Sequence, residues 1–171
     1  MKFIILVISL GFATIILCEK SRMVLITTDK RYHSFYVPIS KEPVVTWMDT
    51  QDGIYPNVSP INSEVEIGSE ISLLIFMKDK SRLYDLKINR CVAYDEENLK
   101  KSNNSLTLYS RFEKDKSKSK KYKNLDWKRE PIANFTSLFY SEFEAFKFPD
   151  HDRIFLTCDI ELCFKPCKVD V

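Results

Sequence analysis

The chain has 171 residues, a length that points to one domain. Its 26 Lys and Arg against 24 Asp and Glu leave a net charge of +2, too even to select nucleic acid or another strongly charged partner. Apolar residues, 44% of the chain, suffice for a core and argue against global disorder, and only 3 glycines leave little room for a phosphate-cradling loop.

At the N-terminus Lys2 precedes an apolar run from Phe3 to Cys18, and charge resumes at Glu19-Lys20. A run of this kind starting at residue 3 reads as a secretory signal peptide over 1–18. The alternative, a membrane anchor, is marginal at this length. No second run of spanning length and no C-terminal anchor signal follow, so the expectation is a secreted, extracellular chain without a stable membrane anchor.

The mature part shows strand-like runs and no helix-period stretch. Met23–Thr28 is the first strand, and shorter candidates at 34–37 and 44–48 lie among Pro38, Pro43, Pro56 and Pro60. Next come residues 64–67, a turn at Gly68, and 71–77, which is apolar on both parities and therefore predicts a central strand covered on both faces. From Tyr84 to Tyr94, Leu86 and Ile88 alternate with polar residues. Strict alternation would place Cys91 on the wet face, and a bulge near Asn89-Arg90 would turn it inward.

Residues 113–130 change character, with eight basic and four acidic side chains, and are expected to form a mobile loop. Lys114, Lys116, Lys118, Lys120, Lys121, Lys123, Lys128 and Arg129 read either as a patch for a sulfated polysaccharide or as a solvated insertion. In 135–148 the apolar residues favour odd positions up to Ala145 and even ones at Phe146 and Phe148, which suggests a bulge or a strand buried on both sides. After a turn at Pro149-Asp150-His151-Asp152, residues 154–163 alternate cleanly and place Cys158 inward and Cys163 on the opposite face. Together 135–163 read as a β-hairpin, and many short strands imply a two-sheet sandwich.

Cys18 falls in the expected signal peptide. Cys91, Cys158, Cys163 and Cys167 are an even number in a secreted chain and read as two disulfides. A metal site is the weaker alternative, because there is no CxxC spacing and His33 and His151 lack ligand spacing. Three sequons, Asn57-Val58-Ser59, Asn103-Asn104-Ser105 and Asn134-Phe135-Thr136, fit glycosylation during export. His33 and His151 sit among polar, turn-like residues and read as surface groups. With no base beside a nucleophile and no G-x-S-x-G, no enzyme or cofactor is expected. Glu96-Glu97 reads as a solvated turn.

Three blocks resemble the C-terminal ZP-C module of the zona pellucida domain family: Val65–Ile71 with the strand to Met77, Leu86–Ala93, and Phe143–Phe148 through Ile154–Cys163. With Met23–Thr28 as first strand, the resemblance covers about 22–167. It implies an all-β, immunoglobulin-like two-sheet β-sandwich and an extracellular structural role in a matrix, coat or cuticle. It also implies a Cys91–Cys158 disulfide stapling the two sheets, which leaves Cys163 and Cys167 to close a local loop. The family's Gly-Cys pair has no counterpart in Leu106–Arg111, so one family disulfide cannot form as usual. Too few residues precede Met23 for a ZP-N half, the part of the family credited with polymerisation. The expected role is therefore docking onto or modulating assemblies, with complete ZP-domain proteins as partners. The alternative is a module that binds glycosaminoglycan through the basic loop.

Overall fold

The fold was analysed in a computed structural model that describes residues 23–28, 33–36, 42–111, 125–134, 136–165 and 167. The expected signal peptide and the lysines at 114, 116, 118, 120, 121 and 123 lie outside the described residues. The described chain is all-β. Its strands are β1 (Met23–Thr28), β2 (His33–Phe35), β3 (Val44–Ile54), β4 (Asn57–Pro60), β5 (Val65–Glu66), β6 (Glu70–Lys78), β7 (Tyr84–Tyr94), β8 (Ser105–Ser110), β9 (Lys128–Ile132), β10 (Thr136–Glu144) and β11 (Arg153–Phe164).

They form two sheets, an immunoglobulin-like sandwich. The first has the order β5-β1-β11-β7-β8, and the second β2-β3-β6-β10-β9 with β4 paired to β3. The core lies between them. β1 contributes Val24 and Ile26 and runs parallel to β11, with Ile26 opposite Ile154. β6 contributes Ile71, Leu73, Ile75 and Met77 from one parity. Flanked by β3 and β10, it is the central strand expected; of its two faces, one packs on the other sheet and the second, where Leu74 is buried, is the outer face of its own sheet.

The bulge expected in β7 is present. Asp159 pairs with Arg90 but Ile160 pairs with Ile88, so Asn89 is the extra residue. It reverses the parity after Ile88 and lets Cys91 and Ala93 join Leu86 and Ile88 in the core. Without it, a buried sulfur would point at water.

Three expectations need correction. First, 135–163 is not a hairpin. β10 pairs with β6 and β9, whereas β11 pairs with β1 and β7 in the other sheet. Eight residues, 145–152, join the two strands, longer than the 2–5 typical of a hairpin loop. The Ala145 N–H donates to the Ser69 carbonyl and the Gly68 N–H to the Ala145 carbonyl, which ties the crossing to the Gly68 turn. Phe143, Ala145 and Phe146 stay buried while the chain changes sheets, so the parity switch marks a crossing. Second, Cys91 and Cys158 are register partners on neighbouring strands, with Cα atoms 4.1 Å apart. Their disulfide therefore reinforces one sheet and does not staple the two. Third, the segment assigned to a loop over 113–130 gains structure at its end: Leu125 is buried and Lys128–Ile132 form β9.

Candidate interaction surface

The second sheet has an apolar outer face. In β6 the residues turned away from the core are Ser72, Leu74, Phe76 and Lys78. The ladder aligns Trp47 and Leu138 with Phe76, Asp49 and Tyr140 with Leu74, and Gln51 and Glu142 with Ser72. Trp47 and Phe76 stack with centroids 4.9 Å apart and planes within 7°. Tyr55, beyond the end of β3, lies 4.6 Å from Tyr140 by centroids. Ser72 holds it there: its hydroxyl accepts from the Tyr55 N–H at 3.0 Å and donates to the Gly53 carbonyl at 2.8 Å. Leu74 and Leu138 are buried among these rings, 2% and 1% exposed. The four rings Trp47, Tyr55, Phe76 and Tyr140 are each partly exposed on this face.

Charge rims the patch. Lys128 pairs with Glu142 at 3.4 Å and lies 5.5 Å over the Tyr140 ring. Burial first, then a hydrogen bond to Glu130 and its charge, and last Tyr140, raise the Tyr55 phenol above its ordinary pKa. Arg129 reaches the other sheet, 2.6 Å from Asp85, with its guanidinium 5.3 Å over Phe139. Lys128 and Arg129, assigned with the polyanion-binding lysines, make these contacts while staying exposed.

Three edge strands are blunted. β5 has two residues and β2 three, and β9 carries Lys128, Arg129 and Pro131. On β8, the Leu108 carbonyl already accepts from the Leu125 N–H. Short, charged or proline-bearing edges resist strand addition.

The remaining assigned residues are dispersed. The structure joins Cys91 to Cys158 and Cys163 to Cys167. Asn57, Asn103 and Asn134 are all exposed, on β4, in the β7–β8 loop and in the turn before β10. Asp95 anchors the loop that carries Asn103. It is 3% exposed and accepts from the Ser102 hydroxyl at 2.5 Å, the Asn104 N–H at 3.0 Å and the Asn104 amide at 2.7 Å. Burial alone would raise its pKa, but these hydrogen bonds, and then the charge of His151, hold it below the usual carboxylate value. His33 is exposed. His151, expected as a surface group, is half-buried with Nε2 3.6 Å from Asp95. Glu96 and Glu97 are exposed in the same loop.

The outer-face cluster was not singled out from the sequence, although the signal for it was there. Leu74 and Phe76 occupy the second parity of β6, and among the described residues no further strand layer lies over that face.

The two sheets and their disulfide-bonded cysteines define an immunoglobulin-like β-sandwich module. The chain belongs to the zona pellucida family: its sequence matches the family's ZP-C domain over residues 20–170. ZP-domain proteins are generally extracellular or secreted, and the domain is a structural, polymerisation-related module that interacts with other extracellular proteins. Among curated proteins none matches the chain.

Proposed function

We propose that this chain is a secreted, glycosylated interaction protein. It docks onto or modulates extracellular matrix, coat or cuticle assemblies built by complete ZP-domain proteins, and it does so through the outer face of the second sheet. The observation that carries the reading is the Trp47, Tyr55, Phe76, Tyr140 cluster around Leu74 and Leu138. The blunted edges favour face contact over strand addition. Glycans at Asn57, Asn103 and Asn134 would stand on exposed turns and an edge strand. By itself the protein is expected to remain monomeric or to form small oligomers.

The test is electron microscopy of filaments assembled from a complete ZP-domain protein, with and without the purified chain. The wild type should decorate them or shorten them. Phe76→Glu, which puts a charge in the stacked pair, should abolish this, while Thr107→Pro on the β8 edge should not. Regular filaments growing from the chain alone, or loss of decoration with Thr107→Pro only, would overturn the reading. A heparin column serves as control: retention above physiological salt would instead favour the polyanion reading of the 114–123 lysines.

A further inference from the structure

At one end of the sandwich the turn between β9 and β10, the turn between β6 and β7 and the residue after β11 enclose a cleft of about 390 Å³. Asn134 of the sequon Asn134-Phe135-Thr136 is itself part of the lining. Pro131 and Ile132 of β9 line it too, with Arg82 and Lys165 from the other two segments, and all five residues are exposed. Backbone bonds hold these segments in place. The Arg82 N–H donates to the Asp79 carbonyl at 3.3 Å, and the Lys165 N–H to the Leu83 carbonyl at 2.9 Å. The buried Asp79 carboxylate accepts from the Ser81 N–H at 2.9 Å and the Tyr84 N–H at 2.8 Å. Asn134 has a φ of +61°, a conformation that Asn tolerates better than most residues, and this fixes the turn out of β9.

The volume is within the range of small-molecule sites. The accessible lining combines two apolar side chains with two cations, which is the complement of an N-acetylated sugar. Such a sugar has an apolar ring face and an acetamide methyl for Ile132 and Pro131. Its hydroxyl and acetamide oxygens accept from a guanidinium and an ammonium, in charge-assisted hydrogen bonds. We infer that the first N-acetylglucosamine of a glycan on Asn134 folds back into this cleft and packs on Ile132 while Lys165 and Arg82 donate to its oxygens. A tethered group meets its site at an effective concentration on the order of millimolar, so contacts too weak to hold a free sugar suffice. The inference rests on the reading of Asn134 as glycosylated and goes beyond it: this glycan joins three segments of the fold, whereas Asn57 and Asn103 take no part in the lining.

The test uses the full secreted chain from a eukaryotic host. Asn57→Gln and Asn103→Gln leave Asn134 as the remaining sequon, and an endoglycosidase trims its glycan to the first sugar. Glycopeptide mass reads whether Asn134 is modified. Ile132→Ala and Lys165→Ala are then melted in this chain and in its Asn134→Gln counterpart. Each should lower the melting temperature by about 3 °C more with the sugar than without it, the shift expected of one modest contact, because only the coupled part of the loss belongs to that contact. A nuclear Overhauser cross-peak between the acetamide methyl and the Ile132 methyl groups gives a readout independent of stability. An unmodified Asn134 would overturn the inference together with the glycosylated reading of that sequon. A modified Asn134 with equal losses in both chains, or with no cross-peak, would overturn the inference alone and leave glycosylation standing.

Discussion

Replacing Cys91 and Cys158 together by alanine tests the central structural correction. The bond links positions separated by 67 residues. The chain-entropy relation assigns a loop of that length about 4 kcal/mol at 25 °C. The same relation gives about 2 kcal/mol for the Cys163–Cys167 bond, which spans 4 positions. Cys91 is buried, so truncating it adds a small cavity cost of about 1 kcal/mol. Urea unfolding followed by tryptophan fluorescence should therefore show the Cys91/Cys158 double variant losing about 5 kcal/mol and the Cys163/Cys167 one about 2. A domain of this size has about 5–15 kcal/mol in total, so the first loss brings it close to unfolding. The location of the effect matters as much as its size. Because the two cysteines are partners in one ladder, amide exchange should accelerate most in β7, β8 and β11, while β3, β6 and β10 keep more of their protection. Equal loss of protection in both sheets would mean that the bond acts as a staple between them, against the register described above. A loss below about 1 kcal/mol, or a larger loss from the Cys163/Cys167 variant, would refute the entropy argument.

Asp95→Ala strands the donors of Ser102 and Asn104 and should destabilise the protein by about 3 kcal/mol in the same urea assay. The Asp95 carboxyl has a lowered folded pKa, so its stabilisation is full above its unfolded pKa, about 4, and fades as pH falls towards the folded value. The wild type should thus lose stability below about pH 4 more steeply than Asp95→Asn, and parallel acid curves would count against the assignment. Gly53 has φ +99°, and a Cβ there would stand 2.6 Å from the Asn57 carbonyl oxygen. Gly68 has φ +95° with open space around the same position. Gly68→Ala should therefore cost only the backbone term, about 1 kcal/mol, and Gly53→Ala clearly more by thermal melting, with equal costs contradicting the packing at the β3–β4 turn. Enzymatic removal of N-glycans from the secreted chain should lower its mass, and Asn57→Gln, Asn103→Gln and Asn134→Gln should each remove one step of that change.

Parity was the most legible feature of the sequence. The alternation in 154–163, the double-sided run in β6 and the awkward phase of Cys91 led to two strands and a bulge that the fold contains. Parity says which way a side chain points relative to its neighbours. It does not say which strand lies alongside. That is why β10 and β11, adjacent in sequence and both well patterned, were paired with each other when the fold places them in opposite sheets. The same gap applies to the Cys91–Cys158 bond: the resemblance supplies the pair, but only the register shows that its two strands are neighbours in one sheet. Composition misled at 125–132 for a different reason. All five residues of β9 are exposed, so the strand has the composition of a loop, and what places it is its pairing with β10 and the contacts of Arg129 with Asp85 and the Phe139 ring and of Lys128 with Glu142 and the Tyr140 ring. Such partners are dozens of residues away or on another strand, and no local window contains them.

The two sheets carry different burdens, and this bears on how the module can make contacts. The first sheet holds the ladder-spanning disulfide and, at the end of β11, the Cys163–Cys167 loop. The second holds neither, yet it contains the deepest stack of buried aliphatics and buries Leu74 and Leu138 on the side away from the core. Burying two leucines on an outer face needs a local cover, which the fold supplies from side chains: Trp47 with Phe76, and Tyr55 with Tyr140 pinned by Ser72. A cover made of rings offers a broad apolar surface with little rotamer entropy left to lose on binding, which favours contact with a partner's surface. A partner strand would find short edges at β2 and β5 and a proline-bearing one at β9, with β8 as the longer edge. On the proposed reading, recognition falls to the outer face of the second sheet, with the cross-linked sheet as the support that keeps that face in shape.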